Sequence, residues 1–348
     1  MTLEPRGGIG VGTSETPEPL EDGDTIEIGG VGRLEYDCEV RQSNRRSQGS
    51  TFGLSVNPAE LMASELTTDH VRTLEERGYV LVEDAFDAAE IARMRQAADD
   101  ILELIINSSV ANDRTSGRLA LVEDDKGGQL VKKIQPINDL SLVFTEMARD
   151  DRLLEPMRAF MDDEPRLMEE KLNYKQPLQT RVNGVDTNRP SEAWPVHSDW
   201  AYFRAQDYPQ TVVSSAIALD DMTEENGTMR FWPGTNQEFV EHERTDNGLE
   251  VPAEHVDEAA AETIEAPAGS LLLFDSVVWH DSSPNLTADP RRVMIYSHYP
   301  GGLGQERGIV EDERNAPTRR RESPYEWRYQ RRKDRGEFSD VFSAPDVT

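Results

Sequence analysis

The sequence is poor in cysteine, in basic residues and in long apolar runs. Cys38 is the only cysteine among 348 residues, so no internal disulfide can form. This composition is typical of a reducing compartment or of a cysteine-poor proteome. No apolar stretch approaches the roughly 20 residues of a membrane-spanning helix, and the N-terminus lacks the charged start and apolar run of a signal peptide. We therefore expect a soluble, cytoplasmic protein without a membrane partner.

Negative charge dominates the composition. The 37 basic residues face 67 acidic ones, which gives a formal net charge of −30. The acids are spread along the whole chain and interleave with apolar segments, unlike the composition of a disordered chain. An acid-rich surface suits a salt-rich cytoplasm, where counterions screen self-repulsion, and it repels phosphate backbones. We expect a halophilic protein that does not bind nucleic acid. The sequence does not indicate an oligomeric state.

Composition divides the chain into three segments. Residues 1–57 are rich in Gly, Pro, Ser, Thr and acids, which predicts a flexible acidic N-terminal segment. Residues 58–300 are expected to form one domain, and residues 301–348 a weakly ordered, partly basic C-terminal arm. Within the arm, residues 318–335 hold eight Arg or Lys against three Asp or Glu. The arm is interpreted either as a contact for a phosphate-bearing partner or as a segment that pairs with the acidic body. We favour the second interpretation.

The domain opens with helix signals. Gly78 ends a first helix and precedes a short apolar strand at residues 79–82. Asp87 and Glu90 have the spacing of a capping box and start a longer helix with a periodic apolar face. Further along, residues 130–134 are a candidate strand, followed by two helices.

Short apolar segments separated by turn residues follow after Met168. Four of them have the length and composition of strands: residues 212–219, 228–232, 270–274 and 293–299. Helices followed by many short strands predict an α+β, mainly β fold. We expect a double-stranded β-helix, a jelly-roll or cupin-like core, with N-terminal helices packed on it.

Two histidines and one aspartate form a candidate metal site. His197 and Asp199 are two residues apart, so on an extended strand both side chains point to one face, and His280 follows 81 residues after Asp199 on an opposing strand. Two imidazoles and a carboxylate on one face leave three positions open, the ligand pattern of non-haem iron(II) oxygenases. The open positions accept a bidentate 2-oxo acid and dioxygen. A hydrolytic zinc with the same three ligands is the alternative.

Three other histidines are alternative third ligands. His242 and His255 lie in acid-rich, loop-like sequence, and His298 lies in the predicted strand at residues 293–299. His280 follows the apolar run at residues 271–274, as expected for a ligand on an inward-facing strand. We therefore favour His280.

Arg291 stands eleven residues after His280 and precedes the predicted strand at residues 293–299. A 2-oxo dicarboxylate bound to iron through its keto-acid end presents a distal carboxylate. Arginine binds such a group with two parallel hydrogen bonds and keeps its charge. The adjacent Arg292 points the other way on a strand. Both could instead be surface arginines after Pro290, and we favour Arg291 as the carboxylate ligand.

These residues lie within a larger set of motifs. The chain resembles the phytanoyl-CoA dioxygenase family of iron(II)/2-oxoglutarate oxygenases over roughly residues 65–300. The matching stretches are Gly78-Tyr-Val-Leu-Val82, Lys133-Ile-Gln135, Trp194-Pro-Val-His-Ser-Asp-Trp200, Ala218-Leu-Asp-Asp221, Glu225-Asn-Gly227, Pro233-Gly-Thr235, Gly269-Ser-Leu-Leu-Leu-Phe274, Trp279-His280 and Asn285 through Pro290-Arg291.

The resemblance implies a jelly roll with iron(II) on His197, Asp199 and His280, and 2-oxoglutarate as cosubstrate. It also implies that Arg291 binds the distal carboxylate, and that Lys133 and Ser282 help to hold the cosubstrate. Lys133 could instead be a surface lysine of an edge strand, with Lys132 next to it, and Ser282 a turn serine.

Some positions depart from the family pattern. Asp281 stands where a small residue is common and adds a negative charge near the site. The aromatic and acidic pattern that follows the first ligands in ectoine hydroxylases is not reproduced in Trp200-Ala-Tyr-Phe203. Trp200, Tyr202 and Phe203 are candidates either for the substrate pocket wall or for the core. Related halogenases lose the ligand carboxylate, so the intact Asp199 favours hydroxylation.

The predicted function is hydroxylation of a small-molecule or lipid-like substrate at a C–H bond. Dioxygen and 2-oxoglutarate are consumed, and succinate and carbon dioxide are released. The alternatives are a jelly-roll binding or scaffold protein without turnover, and a zinc-dependent hydrolase on the same fold. Arg291 has no evident purpose in either alternative.

Overall fold

The computed structural model describes residues 25–28, 32–35, 58–124, 126–179, 181–306 and 316–345. The chain divides into two compact units, Met1–Ser55 and Val56–Thr348. In the first unit, strands β1 (Thr25–Ile28) and β2 (Gly32–Glu35) form an antiparallel hairpin. The rest of the predicted acidic N-terminal segment lies outside the described residues.

The second unit begins with the predicted order of helix, strand and long helix. Helix α1 (Pro58–Arg77) ends at Gly78, whose positive φ of 84° suits glycine. Strand β3 (Tyr79–Val82) leads to helix α2 (Ala88–Ala111). The capping box at the start of α2 is confirmed: the Asp87 carboxylate accepts hydrogen bonds from the backbone N–H groups of Ala89 and Glu90, and the Glu90 carboxylate accepts one from the Asp87 N–H.

Twelve further strands and five further helices complete the described part of this unit. The strands are β4 (Leu119–Glu123), β5 (Gln129–Ile134), β6 (Pro165–Pro177), β7 (Trp194–His197), β8 (Val213–Ala218), β9 (Met229–Trp232), β10 (Glu243–Thr245), β11 (Gly248–Glu250), β12 (Glu262–Thr263), β13 (Leu271–Asp275), β14 (Trp279–Ser282) and β15 (Val293–Pro300). The helices are α3 (Leu142–Met147), α4 (Asp151–Met161), α5 (Trp200–Phe203), α6 (Gly301–Glu306) and α7 (Ala316–Asp334). Short 3₁₀ turns connect several of them.

Two antiparallel sheets form the core. The larger sheet has the strand order β3-β13-β8-β15-β6-β5-β4, and the smaller has the order β12-β9-β14-β7. The four strands predicted after Met168 are present as β8, β9, β13 and β15. The strand order and the packed helices give the predicted α+β, mainly β jelly roll.

Alternate residues of the larger sheet face different layers, as the two-residue period of a strand requires. On β15, Met294 and Tyr296 pack with the apolar face of α2. Val293 and Ile295 instead pack between the two sheets. The central strands are therefore apolar on both faces, which explains their continuous apolar sequence. The same alternation decides which side chains reach the space between the sheets.

The C-terminal arm contains a helix that the sequence did not predict. Helix α7 packs on α2. In its described ion pairs with the body, the helix supplies the acid and the body the base, contrary to our expectation. Glu322 pairs with Arg114 at 2.9 Å, and Glu326 lies 3.5 Å from Arg118. Both glutamates are buried. The interpretation that basic arm residues pair with an acidic body was therefore wrong for these contacts, because Glu322 and Glu326 of the helix are buried against arginines of the body.

No helix among the described residues is long and apolar enough to cross a membrane.

Candidate active site

The three predicted metal ligands come from two neighbouring strands and one turn. His197 is the last residue of β7, and His280 lies on β14, directly opposite His197 in the antiparallel register. Asp199 stands before α5 with φ −60° and ψ −33°. His280 thus lies on an opposing strand, as expected, whereas the expectation that Asp199 shares one extended strand with His197 was wrong, because β7 ends at His197 and Asp199 has helical backbone angles. The chain turns after His197 because the Ser198 N–H donates to His242 and the Trp200 N–H to the Ser276 carbonyl.

The turn still brings the three side chains together. One ligand atom of each residue lies within 4.8 Å of the others, and His197 Nε2 is 3.8 Å from Asp199 Oδ1. All three side chains are buried. Among the described residues, this is the one cluster of three or more His, Cys, Asp or Glu side chains with metal-binding spacing.

Hydrogen bonds orient the two imidazoles. His197 Nδ1 lies 2.7 Å from the Pro195 carbonyl oxygen, and His280 Nδ1 lies 3.1 Å from that of Val278. A carbonyl only accepts, so each Nδ1 carries the proton and each Nε2 presents a lone pair to the cluster. Backbone groups therefore select the tautomer that a metal requires.

The protonation states also fit a cation. Burial, followed by the neighbouring His280, lowers the pKa of His197 to about 3. Burial alone would raise the pKa of Asp199, but the charge of Lys171 leads the interactions that lower it. The two imidazoles are thus neutral and the carboxylate ionised at neutral pH, so a metal ion can bind without displacing a proton.

The alternative histidines do not join this cluster. His242 Nε2 accepts the Ser198 N–H at 2.9 Å, so His242 supports the turn between the ligands. His255 is exposed. His298 is buried on the other face of β15, with Nε2 3.1 Å from the Ala148 carbonyl.

A cavity of about 290 Å³ opens beside the three ligands between the two sheets. Its aromatic wall includes Trp194, Tyr202 and Phe203. Trp200 instead packs on Phe239, with ring centroids 4.7 Å apart. Of the three candidates that follow the first ligands, Tyr202 and Phe203 therefore line the pocket, whereas Trp200 belongs to the packing around it.

Arg291 and Arg292 have separate environments. Arg291 lines the cavity and is 2% exposed. Its Nη2 donates to Ser282 Oγ at 3.2 Å, its buried Nε has no hydrogen-bond partner in the described structure, and no described carboxylate lies within 4 Å. Burial lowers the pKa of Arg291 to about 10, so the guanidinium stays charged at neutral pH. A buried cation without an anion indicates a site for an anionic ligand.

Arg292 is held by the protein itself. It forms a bidentate pair with Asp220 at 2.8 and 2.9 Å and reaches Asp99 at 2.7 Å. Its carboxylate partners are thus supplied by the chain. This environment distinguishes the two arginines, which the sequence separated only by the expected strand register.

Ser282 lies beside Arg291 as part of a network that the sequence did not reveal. Its hydroxyl donates to the Gly227 carbonyl at 2.9 Å and accepts from Lys175 Nζ. Lys175 is fully buried, and its ammonium also donates to the Gly227 and Ser283 carbonyls. Burial, followed by the charge of Arg291, lowers the pKa of Lys175 to about 6. No motif marked Lys175, which itself has a positive φ of 41° and lies in the long strand β6.

The two adjacent lysines of β5 make different contacts. Lys133 lines the cavity, and its Nζ donates to Gln135 Oε1 at 2.9 Å. Burial lowers the pKa of Lys133 to about 8. Lys132 Nζ donates to the Ser191 and Ala193 carbonyls, each at 3.0 Å, and lies over the Trp194 ring. The structure therefore brings Lys133, and not Lys132, to the cavity.

Asp281 does not add an unbalanced negative charge to the cavity. It lies opposite Arg230 in the register of β14 and β9, and the two side chains form a bidentate ion pair, with Arg230 Nε 2.9 Å from Asp281 Oδ1. The expected extra charge near the site is thus neutralised.

Comparison with known proteins identifies the family. The model of the family "Phytanoyl-CoA dioxygenase (PhyH)" matches residues 74–293. An ectoine dioxygenase of Halomonas elongata is 27% identical over 244 residues, which cover 65% of this chain and 68% of the relative. A probable α-ketoglutarate-dependent hypophosphite dioxygenase of Stutzerimonas stutzeri is 25% identical over 238 residues, which cover 64% of this chain and 75% of the relative.

A crystal structure of EctD from S. alaskensis with 2-oxoglutarate and 5-hydroxyectoine superposes with a TM-score of 0.50 at 22% identity, covering 67% of this chain and 76% of the other. This likeness shows the fold. The family match, which spans more than half of the chain, shows more: the chain belongs to the phytanoyl-CoA dioxygenase family, whose members are iron(II)- and 2-oxoglutarate-dependent oxygenases.

Proposed function

We propose that His197, Asp199 and His280 hold iron(II) and that Arg291 and Ser282 bind the distal carboxylate of 2-oxoglutarate. The protein would then hydroxylate a small molecule at a C–H bond. The observation that carries this proposal is the coexistence, in one cavity, of a buried ligand triad and a buried guanidinium that no described carboxylate neutralises.

The donor set fits the metal. Two neutral imidazoles and one carboxylate would hold iron(II) and leave coordination positions for a 2-oxo acid and for dioxygen. Iron(II) and 2-oxoglutarate supply the activation of dioxygen, from which one oxygen atom enters the C–H bond and the other enters succinate as carbon dioxide leaves.

The side chains of the protein supply orientation. The carbonyls of Pro195 and Val278 hold the imidazoles in the ligating tautomer. Arg291 can offer two parallel N–H groups to the carboxylate, while Lys175 keeps the Ser282 hydroxyl beside it. Lys133 adds a second positive charge to the cavity and, in this proposal, contacts the same cosubstrate.

The alternatives leave part of this arrangement unused. A zinc hydrolase would use the triad but has no need of the buried Arg291. A binding protein without turnover would not need the tautomer control at both histidines. The intact Asp199 carboxylate favours hydroxylation over halogenation.

The test is spectroscopic and requires no substrate. Anaerobic protein with iron(II) and 2-oxoglutarate should develop the weak visible charge-transfer band of the chelate, and His197→Ala protein should not. The exposed His255, replaced in the same way, is the matched control and should leave the band unchanged. Equal spectra for wild type and His197→Ala would remove the triad from its role.

The cellular setting is a further part of the proposal. We propose a salt-rich cytoplasm, which the net charge of −30 and the single cysteine support. We also retain residues 58–300 as the proposed catalytic domain.

The relatives do not select a substrate. They are named for ectoine and for hypophosphite, two different small molecules. The cavity of about 290 Å³ must hold the cosubstrate and the reacting part of the substrate together, and pockets for drug-sized ligands begin at about this volume. A small metabolite is the proposed substrate class.

A further inference from the structure

Two charged side chains line the cavity without a role in holding iron or the distal carboxylate. Lys171 and Glu169 lie on β6, two residues apart and on the same face of the strand. Lys171 Nζ is 3.2 Å from one oxygen of Glu169, and the other oxygen accepts from Gln135 Nε2 at 3.0 Å. Both glutamate oxygens are therefore engaged by the protein.

The ammonium of Lys171 has unused hydrogen-bonding capacity. An ammonium carries three N–H donors, and Glu169 is the one hydrogen-bond acceptor found for it among the described residues. The Lys171 side chain is only 16% exposed. A buried cation with free donors gains most from an anionic acceptor, because water cannot fully solvate it there.

Lys171 lies at the iron end of the cavity. In the larger sheet Lys171 pairs with Ile295 of β15. Ser297, two residues further along β15, pairs with Ser214, whose hydroxyl donates to the proposed metal ligand Asp199 at 3.4 Å, whereas Arg291 lies four residues before Ile295. The charge of Lys171 is also the leading one among those that lower the pKa of the Asp199 carboxyl. Lys171 and the three ligands line the same cavity, so a substrate that presents a C–H bond to the iron can reach Lys171.

The charges of the loaded cavity do not balance. Its lining contains three cations, Lys133, Lys171 and Arg291, and two carboxylates without an arginine partner, Glu169 and Asp199. Asp281 is neutralised by Arg230. Iron(II) adds two positive charges and 2-oxoglutarate two negative ones. Counted over these lining side chains, iron(II) and 2-oxoglutarate, one net positive charge remains. An unneutralised charge in a desolvated site is unfavourable, and an anionic ligand would neutralise it.

We propose that the substrate carries a single anionic group, a carboxylate or an equivalent oxyanion, and that Lys171 binds it. This inference rests on the proposed function, since it assumes that iron and 2-oxoglutarate occupy the cavity. The lysine ammonium is a compact point charge that can bind either a planar carboxylate or a tetrahedral phosphonate. A cationic substrate is disfavoured, because Lys133 and Lys171 would both repel it.

The test compares matched probes on the protein loaded anaerobically with iron(II) and 2-oxoglutarate. The probes are isobutyrate, isopropylphosphonate and isobutyramide, which share the isopropyl group and differ in charge and shape of the head. Dissociation constants come from ligand-observed NMR at constant ionic strength, with the paramagnetic broadening of the methyl signal reporting proximity to iron. Zinc-loaded protein is the diamagnetic reference.

The proposal expects at least one anionic probe to bind wild-type protein about 10- to 100-fold more tightly than the amide, the range for a hydrogen bond to a charged group. Lys171→Met should abolish this preference, and Lys171→Arg should retain much of it. Lys126→Met removes the same charge at an exposed position and should behave as wild type. The preferred anion, carboxylate or phosphonate, identifies the head group.

Several outcomes overturn the proposal. These are amide binding as tight as that of both anions, a preference that survives Lys171→Met, and no measurable binding of either anion. The wild-type comparison decides alone if Lys171→Met fails to fold. The chelate band is recorded on every sample: its absence in wild type contradicts the proposed iron and 2-oxoglutarate sites, whereas a normal band without an anion preference contradicts only the role of Lys171.

Discussion

Replacement of Arg291 by alanine should raise the 2-oxoglutarate requirement while iron binding persists. The guanidinium is 2% exposed, and its one described hydrogen bond goes to the Ser282 hydroxyl. The distal carboxylate would supply the missing anion. Truncating one partner of a buried, hydrogen-bonded charge pair costs about 2–5 kcal/mol, which corresponds to a weakening of about 30- to 5,000-fold. The iron ligands lie on other side chains and should be unaffected.

The assay is an anaerobic titration of the iron(II)-loaded protein, followed through the chelate band. Comparison of 2-oxoglutarate with 2-oxovalerate, which lacks the distal carboxylate, isolates the contribution of Arg291. Wild type should prefer 2-oxoglutarate strongly, and Arg291→Ala should bind the two acids with similar affinity. Arg291→Lys should recover part of the preference, since lysine keeps the charge but loses the planar fork.

An unchanged 2-oxoglutarate affinity in Arg291→Ala would refute this reasoning and direct attention to Arg292. The exposed Arg181 provides a control of the same residue type, and Arg181→Ala should titrate as wild type.

Two further predictions concern stability. Arg292→Ala should lower the free energy of unfolding by about 3–5 kcal/mol, because it leaves Asp220 and Asp99 without their shared cation; chemical denaturation measures this loss, and a near-wild-type stability or a large change in 2-oxoglutarate affinity would contradict the structural role. Burial raises the pKa of Glu326 to about 7 from its usual value near 4.5. The folded protein then binds this proton more tightly than the unfolded chain, so the contribution of Glu326 to stability is present below the unfolded pKa and is lost as the pH rises through the window from about 4.5 to 7. The stability of Glu326→Gln relative to wild type should therefore be higher at pH 8 than at pH 5. Thermal unfolding curves of the variant with the same pH dependence as wild type would refute this.

Much of the fold was predictable from apolar patterns. The central strands β8, β13 and β15 are buried on both faces, so their sequences are mainly apolar, with serines in β8 and Ser297 and His298 in β15 as polar exceptions. The capping box of α2 was predictable because it depends on local spacing alone.

Two of the missed elements have a polar inward face. Strand β6 has thirteen residues, yet the side chains that it turns to the cavity include Glu169, Lys171 and Asn173. A strand that presents charges to a functional cavity has no apolar alternation to detect. Helix α7 was missed for a related reason, since it contains Pro324 and few apolar residues.

The residues of the site likewise fall into a group that the sequence predicts and a group that it does not. The residues of the triad, with Arg291, Ser282 and Lys133, could be named from motifs, and the structure gathers them around one cavity. The roles given to them stay predictions. Lys171 and Lys175 could not be named, because a lysine in a polar segment carries no sign that tertiary packing will bury it. The ion pair of Asp281 with Arg230 depends on the register between β14 and β9, which no local pattern encodes.

Mass spectrometry of succinate formed under ¹⁸O₂ tests the central claim most directly. If His197, Asp199 and His280 hold an iron that couples dioxygen to 2-oxoglutarate, the wild-type protein should release succinate that contains one ¹⁸O atom, and His197→Ala should form none above background. Succinate without the label, or equal labelled succinate from both proteins, would contradict the account.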